Sequence, residues 1–409
     1  MKSDAMTYQV MRPKGRMGLL GFMGLFVLLC LTGCSSDEGD EPGGQLPDDG
    51  PVVEQSVPVE LMCGVTGYQD AYDRYGATRA VWNPPTGFVR DESRSSEVIG
   101  ICFTQNGKSP TVDTDDEKLM GYFFKSGNKW RTDLKIKDSG IYYLYGYTPH
   151  TTGVSCEITS SNYESGAVLT IKNLPTVTSS DVCVVVGAKN GKDYIKNDQD
   201  YSITGFLRGD FAYEAMATSS TGATGNYVFL LFDHLYAAMR FKMKVDDVYN
   251  TLRTIKVKEL RLKTSSDNTA TKKRANALIT LTKTNDGSDP ITGIEFNQIG
   301  NEESDGTVFQ STAGQVLTTD IDDTEFQSHF MPQGVTKLIL TSVYDVYDKQ
   351  NKLVRENCTA VNTLVISELF SQQQTVYRGN RYTVNLTIEP TYLYLLSEPD
   401  LDNPTIRVN

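Results

Sequence analysis

His150, His234 and His329 stand far apart along the 409-residue chain, and none belongs to an H-x-x-x-H pair. No zincin-type site is therefore written in the sequence. His234 leads into a strand, where a structural role outweighs a catalytic one. No G-x-S-x-G elbow occurs. Gly107-Lys108-Ser109 looks like the end of a phosphate-binding loop, but Cys102 stands where the first glycine is required, so the cradle is missing. Asp113, Asp115, Asp116 and Glu117 cluster, yet Lys118 occupies the place an EF-hand gives to glycine. That loop reads as solvated acid, and so do Asp400, Asp402 and Asn403. Arg208-Gly209-Asp210 would meet an integrin only from a tip. Cys63, Cys102, Cys156, Cys183 and Cys358 show no C-x-x-C spacing. Cys183 sits in the apolar run Val182 to Val186 and reads as a small core residue, and the odd number leaves at least one thiol unpaired. The sequence thus predicts no catalytic residue, no metal site, no cofactor and no enzyme.

One cysteine has a different setting. Arg12, Lys14 and Arg16 precede an uncharged apolar run from Met17 to Leu31, the layout of a secretory signal, too short for a spanning helix. The run ends in Leu31-Thr32-Gly33-Cys34, which resembles the lipobox of bacterial lipoproteins. That resemblance implies diacylation of the Cys34 thiol and cleavage just before it. An ordinary signal peptide with a chance cysteine is the competing reading. Ser35-Ser36-Asp37-Glu38-Gly39-Asp40-Glu41 looks like the acidic stretch that sends Bacteroidetes-type lipoproteins to the outer face of the outer membrane; a solvated tether reads the same way. Residues 42–51 carry three prolines and three glycines and predict a flexible leash.

The formal charge is −12, and loss of residues 1–33 removes a net +3, leaving a mature chain near −15. An acidic surface argues against nucleic acid and against docking on anionic lipid. The length suggests two domains. Twenty-two tyrosines suit half-wet strands.

Strand alternation dominates. Leu235, Ala237, Met239, Phe241, Met243 and Val245 fall on one face, and Tyr236, Ala238, Arg240, Lys242, Lys244 and Asp246 on the other. Tyr382 to Glu389 alternates likewise. Within Ile255–Lys263 the apolar phase slips between Val257 and Leu260, which predicts a β-bulge. Further strands are predicted at Ile141–Tyr147, Val168–Ile171, Val182–Ala188, Tyr227–Phe232, Ala277–Thr282 and Lys337–Tyr344. Recurring turn residues between such runs favour antiparallel sandwiches. A polar stretch from Ala215 to Asn226 marks a boundary. The predicted organisation is a signal peptide (1–33), an acidic tether (34–52), an N-terminal β-sandwich (53–218) and a C-terminal β-sandwich (219–409).

Four segments resemble the fimbrillin family of Bacteroidetes, the subunits and accessory proteins of type V pili. They are the lipobox with its acidic sequel, Tyr142-Tyr143-Leu144-Tyr145-Gly146-Tyr147-Thr148-Pro149, the run from Phe232-Asp233-His234 to Phe241, and the run from Tyr377-Arg378-Gly379 to Leu386. The resemblance implies two tandem transthyretin-like sandwiches in an all-β chain, and a surface lipoprotein anchored in the outer membrane through Cys34. It also implies proteolysis after an N-terminal arginine and assembly with other subunits by strand exchange. Arg79, in the small-residue stretch Gly76 to Val81, is the first candidate cut site, followed by Arg74 and Arg90; ordinary surface arginines remain the alternative.

At the other end, Pro390 is expected to stop strand pairing. Beyond it, Tyr392, Leu393, Tyr394, Leu395 and Leu396 are apolar on both faces, and Ile406 and Val408 alternate. Such a segment must be covered, either by its own sheet or by a neighbour. Two functions follow: a structural or adhesive fimbrial component, or a non-polymerising surface lipoprotein that binds glycan or a host protein. In the second, Trp82 or Trp130 would stack on sugar faces.

Overall fold

The computed structural model describes residues 59–65, 69–71, 89–90, 98–105, 118–126, 129–132, 140–190, 208–215, 226–370, 373–393 and 398–409. The elements, in chain order, begin with β1 (Val59–Val65), β2 (Gln69–Ala71), β3 (Val89–Arg90), β4 (Ile99–Gln105), β5 (Lys118–Ser126) and β6 (Lys129–Thr132). Next come β7 (Gly140–Thr148), β8 (Ser155–Thr159), β9 (Gly166–Pro175), β10 (Cys183–Asn190), β11 (Ala212–Ala215) and β12 (Asn226–His234). Then follow β13 (Tyr236–Val245), helix α1 (Asp247–Leu252), β14 (Thr254–Ser266), β15 (Thr269–Ala270), β16 (Lys272–Thr282) and β17 (Ile291–Glu303). The chain closes with β18 (Gly306–Val316), β19 (His329–Pro332), β20 (Lys337–Tyr347), β21 (Leu353–Val365), helix α2 (Ile366–Leu369), β22 (Asn380–Leu393) and β23 (Glu398–Val408).

The chain is all-β, as its alternation predicts, and the strands form four sheets among the described residues. The largest runs β3-β1-β12-β10-β7-β4-β5-β6, with β11 also on β7. One of its faces packs on the sheet β17-β16-β9-β8, where Tyr145, Val184 and Leu231 meet Leu169, Ile171 and Ile279. The other face gathers Cys183, Val185, Leu230 and Phe232. Further along, β19-β13-β22-β2 with β23 on β22 faces β15-β14-β20-β21 with β18 on β14. A single core fills that second sandwich, including Phe241, Met243, Leu260, Leu340 and Tyr382.

Local rules account for several details. The sequence phase slip in β14 is a register shift between Val257 and Glu259, opposite both β18 and β20. Asp246 caps α1, its side chain accepting from the Tyr249 amide. Pro390 does not end β22 as expected. Its missing N–H falls in a register shift between Glu389 and Thr391, and pairing with β23 resumes beyond it. Ribbon β16–β17 belongs to the second half of the sequence, yet β16 pairs with β9 of the first half.

Candidate functional site

The chain passes from one sandwich to the other at Asp233-His234-Leu235, between β12 and β13, and charge is concentrated there. The buried Asp233 carboxylate accepts from Arg208 and, at 3.0 Å, from Arg378. Asp289 accepts from Arg208 at 3.1 Å and from Arg378. Arg378 also donates to the His234 carbonyl at 3.2 Å. Two guanidinium groups and two carboxylates thus alternate, their charges cancel, and the β12–β13 crossing is tied to the Asp286-Gly287-Ser288 turn region and to the loop before β22. This geometry removes Arg208-Gly209-Asp210 as an integrin tip. The Arg208 side chain is only 10% exposed. Gly209 is buried at φ +92°, where an added Cβ would collide with Thr284.

Beside the ion cluster, Cys183 of β10 lies opposite His234 of β12. The His234 Nδ1 is 2.8 Å from Asp181 Oδ2 and 3.5 Å from Cys183 Sγ. Asp181 and Cys183 are two residues apart, but linear spacing could not announce His234, which strand register alone brings beside them.

The first described strands and the last one lie at or next to the edges of the sheets. β1 lies parallel to β12 over Val59↔Asn226 to Val65↔Phe232, and β2 lies parallel to β22 over Gln69↔Asn380 to Ala71↔Tyr382. Arg90 is in β3, whose only described pairing is with β1, opposite Gly64. Arg74, Arg79 and Cys34 lie outside the described residues.

At the C-terminus, β23 runs antiparallel to β22, from Leu386↔Val408 to Leu393↔Glu398. Ile406 is buried in the second core, and Leu401 and Val408 pack on it. Side chains fasten the strand as well. Tyr249 donates to the Leu401 carbonyl at 2.7 Å, Tyr344 to that of Pro404 at 2.8 Å and Asn362 to that of Ile406 at 2.9 Å. Asp402 accepts from Arg253 at 2.8 Å, and Asn403 from Arg355 at 2.8 Å. These two positions of the acidic group are thereby engaged by arginines. Tyr392 is exposed on β22. Tyr394, Leu395 and Leu396 lie outside the described residues, as do Trp82, Gly107 to Ser109 and Asp113 to Glu117; Leu393 and Trp130 are described as strand positions only.

The remaining histidines have structural settings. His150 stacks near Tyr122, with ring centroids 4.4 Å apart, and bonds the Tyr147 hydroxyl at 2.5 Å. His329 is buried, 3.2 Å from the Gln327 carbonyl. Burial holds both imidazoles below their ordinary pKa. The cysteines among the described residues for which pairing is settled, Cys102, Cys156, Cys183 and Cys358, form no disulfide.

No protein-family model matches the chain. No curated protein matches it either. Solved structures do. A fimbrial protein from Bacteroides vulgatus is 14% identical, with a TM-score of 0.37, over 86% of this chain and 98% of that one. The fimbrial anchor protein of Porphyromonas gingivalis is 9% identical, with a TM-score of 0.27, over 86% and 97%. The tip fimbrial protein of that organism, in a form with a C-terminal truncation, is 7% identical, with a TM-score of 0.28, over 87% and 98%. Identity this low carries no residue role across, so each role rests on this chain's own contacts. The chain is thus similar to solved structures named for fimbrial proteins, and the four sequence segments resemble the fimbrillin family.

Proposed function

We propose that this chain is a structural or adhesive component of cell-surface fimbriae, exported as a lipoprotein anchored through Cys34 and joined to other subunits by strand exchange. The observation that carries the reading is the placement of β1 and β2. Each is laid parallel on a strand distant in sequence, β1 on β12 and β2 on β22, and both precede Arg74 and Arg79. A cut after either arginine severs β1 and β2 together from the body of the protein. Loss of β1 leaves the amides and carbonyls of β12 that face it unpaired, and loss of β2 does the same at the start of β22. An open edge of that kind takes a donated strand, which restores backbone hydrogen bonds and apolar burial.

The donor is a separate matter. β23 completes its own sheet here, so as a donor it would have to leave the contacts described above. We assign it first to its own domain, with donation requiring their release. The two-sandwich organisation belongs to this same reading, with the passage between sandwiches at the β12–β13 crossing rather than near residue 219 and with ribbon β16–β17 joined to the first sandwich.

The test is limited digestion of folded protein with an arginine-specific protease, followed by N-terminal sequencing and size-exclusion chromatography. The reading expects a single cut in 72–90, loss of β1 and β2, and concentration-dependent oligomers. A trimmed chain that stays monomeric at high concentration turns the reading toward a non-polymerising surface lipoprotein that binds glycan or a host protein. Deleting residues 398–409 separates the tail's roles. A lower melting temperature in the monomer marks self-completion, and an unchanged monomer that no longer polymerises marks donation.

A further inference from the structure

We propose that Asp181, Cys183 and His234 form a binding site for a transition-metal ion of the zinc class. The three offer one carboxylate oxygen, one sulfur and one imidazole nitrogen, and these atoms lie within 4.8 Å of one another. Such a mixed set suits zinc, which accepts all three donor types. The distances fit a common centre. Zinc bonds of about 2.0–2.3 Å at tetrahedral angles set nitrogen and sulfur about 3.5 Å apart and nitrogen and oxygen about 3.3 Å apart. Here Sγ to Nδ1 is 3.5 Å, and Oδ2 to Nδ1 is 2.8 Å, so binding asks only for the carboxylate to draw back slightly.

The arrangement also speaks against a nucleophilic relay. A thiol–imidazole–carboxylate relay places the thiol and the carboxylate on opposite ring nitrogens. In this chain both face Nδ1. One nitrogen aims a single proton or a single lone pair, whereas a metal ion held between the three satisfies all of them at once. Burial adds selectivity. Cys183 is 0% exposed and His234 3%, while the Asp181 side chain, at 13%, leaves a way in from solvent. The nearby arginines do not bar a cation, since Arg208 and Arg378 are neutralised by Asp233 and Asp289. Three protein ligands leave a fourth position for water. Binding releases the Cys183 thiol proton to solvent, and no redox change is involved.

The experiment uses the full chain, stripped with chelator and dialysed against zinc or cobalt(II). The expected result is stoichiometric zinc by elemental analysis, a zinc-dependent rise in melting temperature, and a thiolate-to-cobalt charge-transfer band. Cys183→Ser should lose the band, His234→Gln should lose zinc retention, and Cys156→Ser should keep both. Should a variant fail to fold, the wild-type spectrum and its chelator-dependent melting decide alone. A wild-type chain with no band and no metal-dependent melting overturns the proposal and leaves a hydrogen-bonded core cluster. A band that survives in folded Cys183→Ser overturns it as well.

Discussion

β10 and β13 are both apolar strands, but they are buried differently. In β10 and the residue before it, Val182, Cys183, Val184, Val185 and Val186 are all buried, the even positions in one core and Cys183 and Val185 in the other. In β13, Phe241, Met243 and Val245 are buried, while Arg240, Lys242 and Lys244 are only partly so. The sequence of each strand reports the difference. An unbroken apolar run belongs to a strand covered on both faces, and alternation to a strand covered on one. β13 also shows where its own setting changes, since Tyr236 to Ala238 are buried without alternation close to the crossing between the sandwiches.

The sharpest way to break this comparison is to place aspartate on each face in turn. Val184→Asp and Val185→Asp should both unfold the chain or cost more than about 4 kcal/mol, because either parity puts an unpaired charge in a core. Phe241→Asp should do the same on β13. Thermal melts of the three should be alike; a tolerated Val185→Asp would mean that the second face of β10 is wet. Next in size is the ion cluster at the crossing. Arg378→Ala leaves Asp233 and Asp289 with one guanidinium between them and should cost about 3–5 kcal/mol, read from urea midpoints. A loss below about 1 kcal/mol would show that the cluster is solvated.

A smaller effect is a pH dependence. His329 is held neutral by burial, so its folded-state pKa lies below the ordinary 6.5. In the folded state it therefore binds fewer protons than in the unfolded chain once pH drops below that value. Its contribution is complete above about pH 6.5 and declines as pH falls toward the folded-state pKa. His150 acts in the same direction. Urea midpoints should thus fall between about pH 7 and about pH 5.5, and His329→Gln should flatten part of that slope. The smallest effect closes the comparison. Lys242→Asp should cost about 1 kcal/mol or less, through loss of its contacts with Asp322 and Glu325. A loss as large as that of Phe241→Asp would reverse the assignment of faces.

Much of the strand framework was legible because one-face burial writes itself as period two. β13, β22 and the bulge in β14 are of this kind. The long edge strand β21 was not, since most of its positions are exposed or half-exposed and carry Arg355, Glu356, Asn357 and Thr359 without a buried stripe. β17 escaped for the same reason. Pro390 misled because its effect depends on whether a bulge stands at that position, which only the pairing with β23 decides. The trio of Asp181, Cys183 and His234 and the Arg208–Arg378 cluster were hidden more deeply. Each joins residues of segments distant in sequence, Asp181 and Cys183 with His234 and Arg208 with Asp233, Asp289 and Arg378, and the tertiary fold that brings them together leaves no local spacing to read.

The ribbon β16–β17 bears on how the protein reaches this state. Leu169 and Ile171 of β9 stand beside Ile279 and Ala277 of β16 in one sheet, so the sheet that covers that side of the first sandwich is incomplete until the chain has grown past residue 282. Pairings of such long range are slow to form, because the loop between them must be closed before any contact rewards it. A polypeptide growing from its N-terminus would therefore hold the earlier half loose while the later half arrives. Folding would then come late and join both sandwiches together, rather than proceeding one after the other.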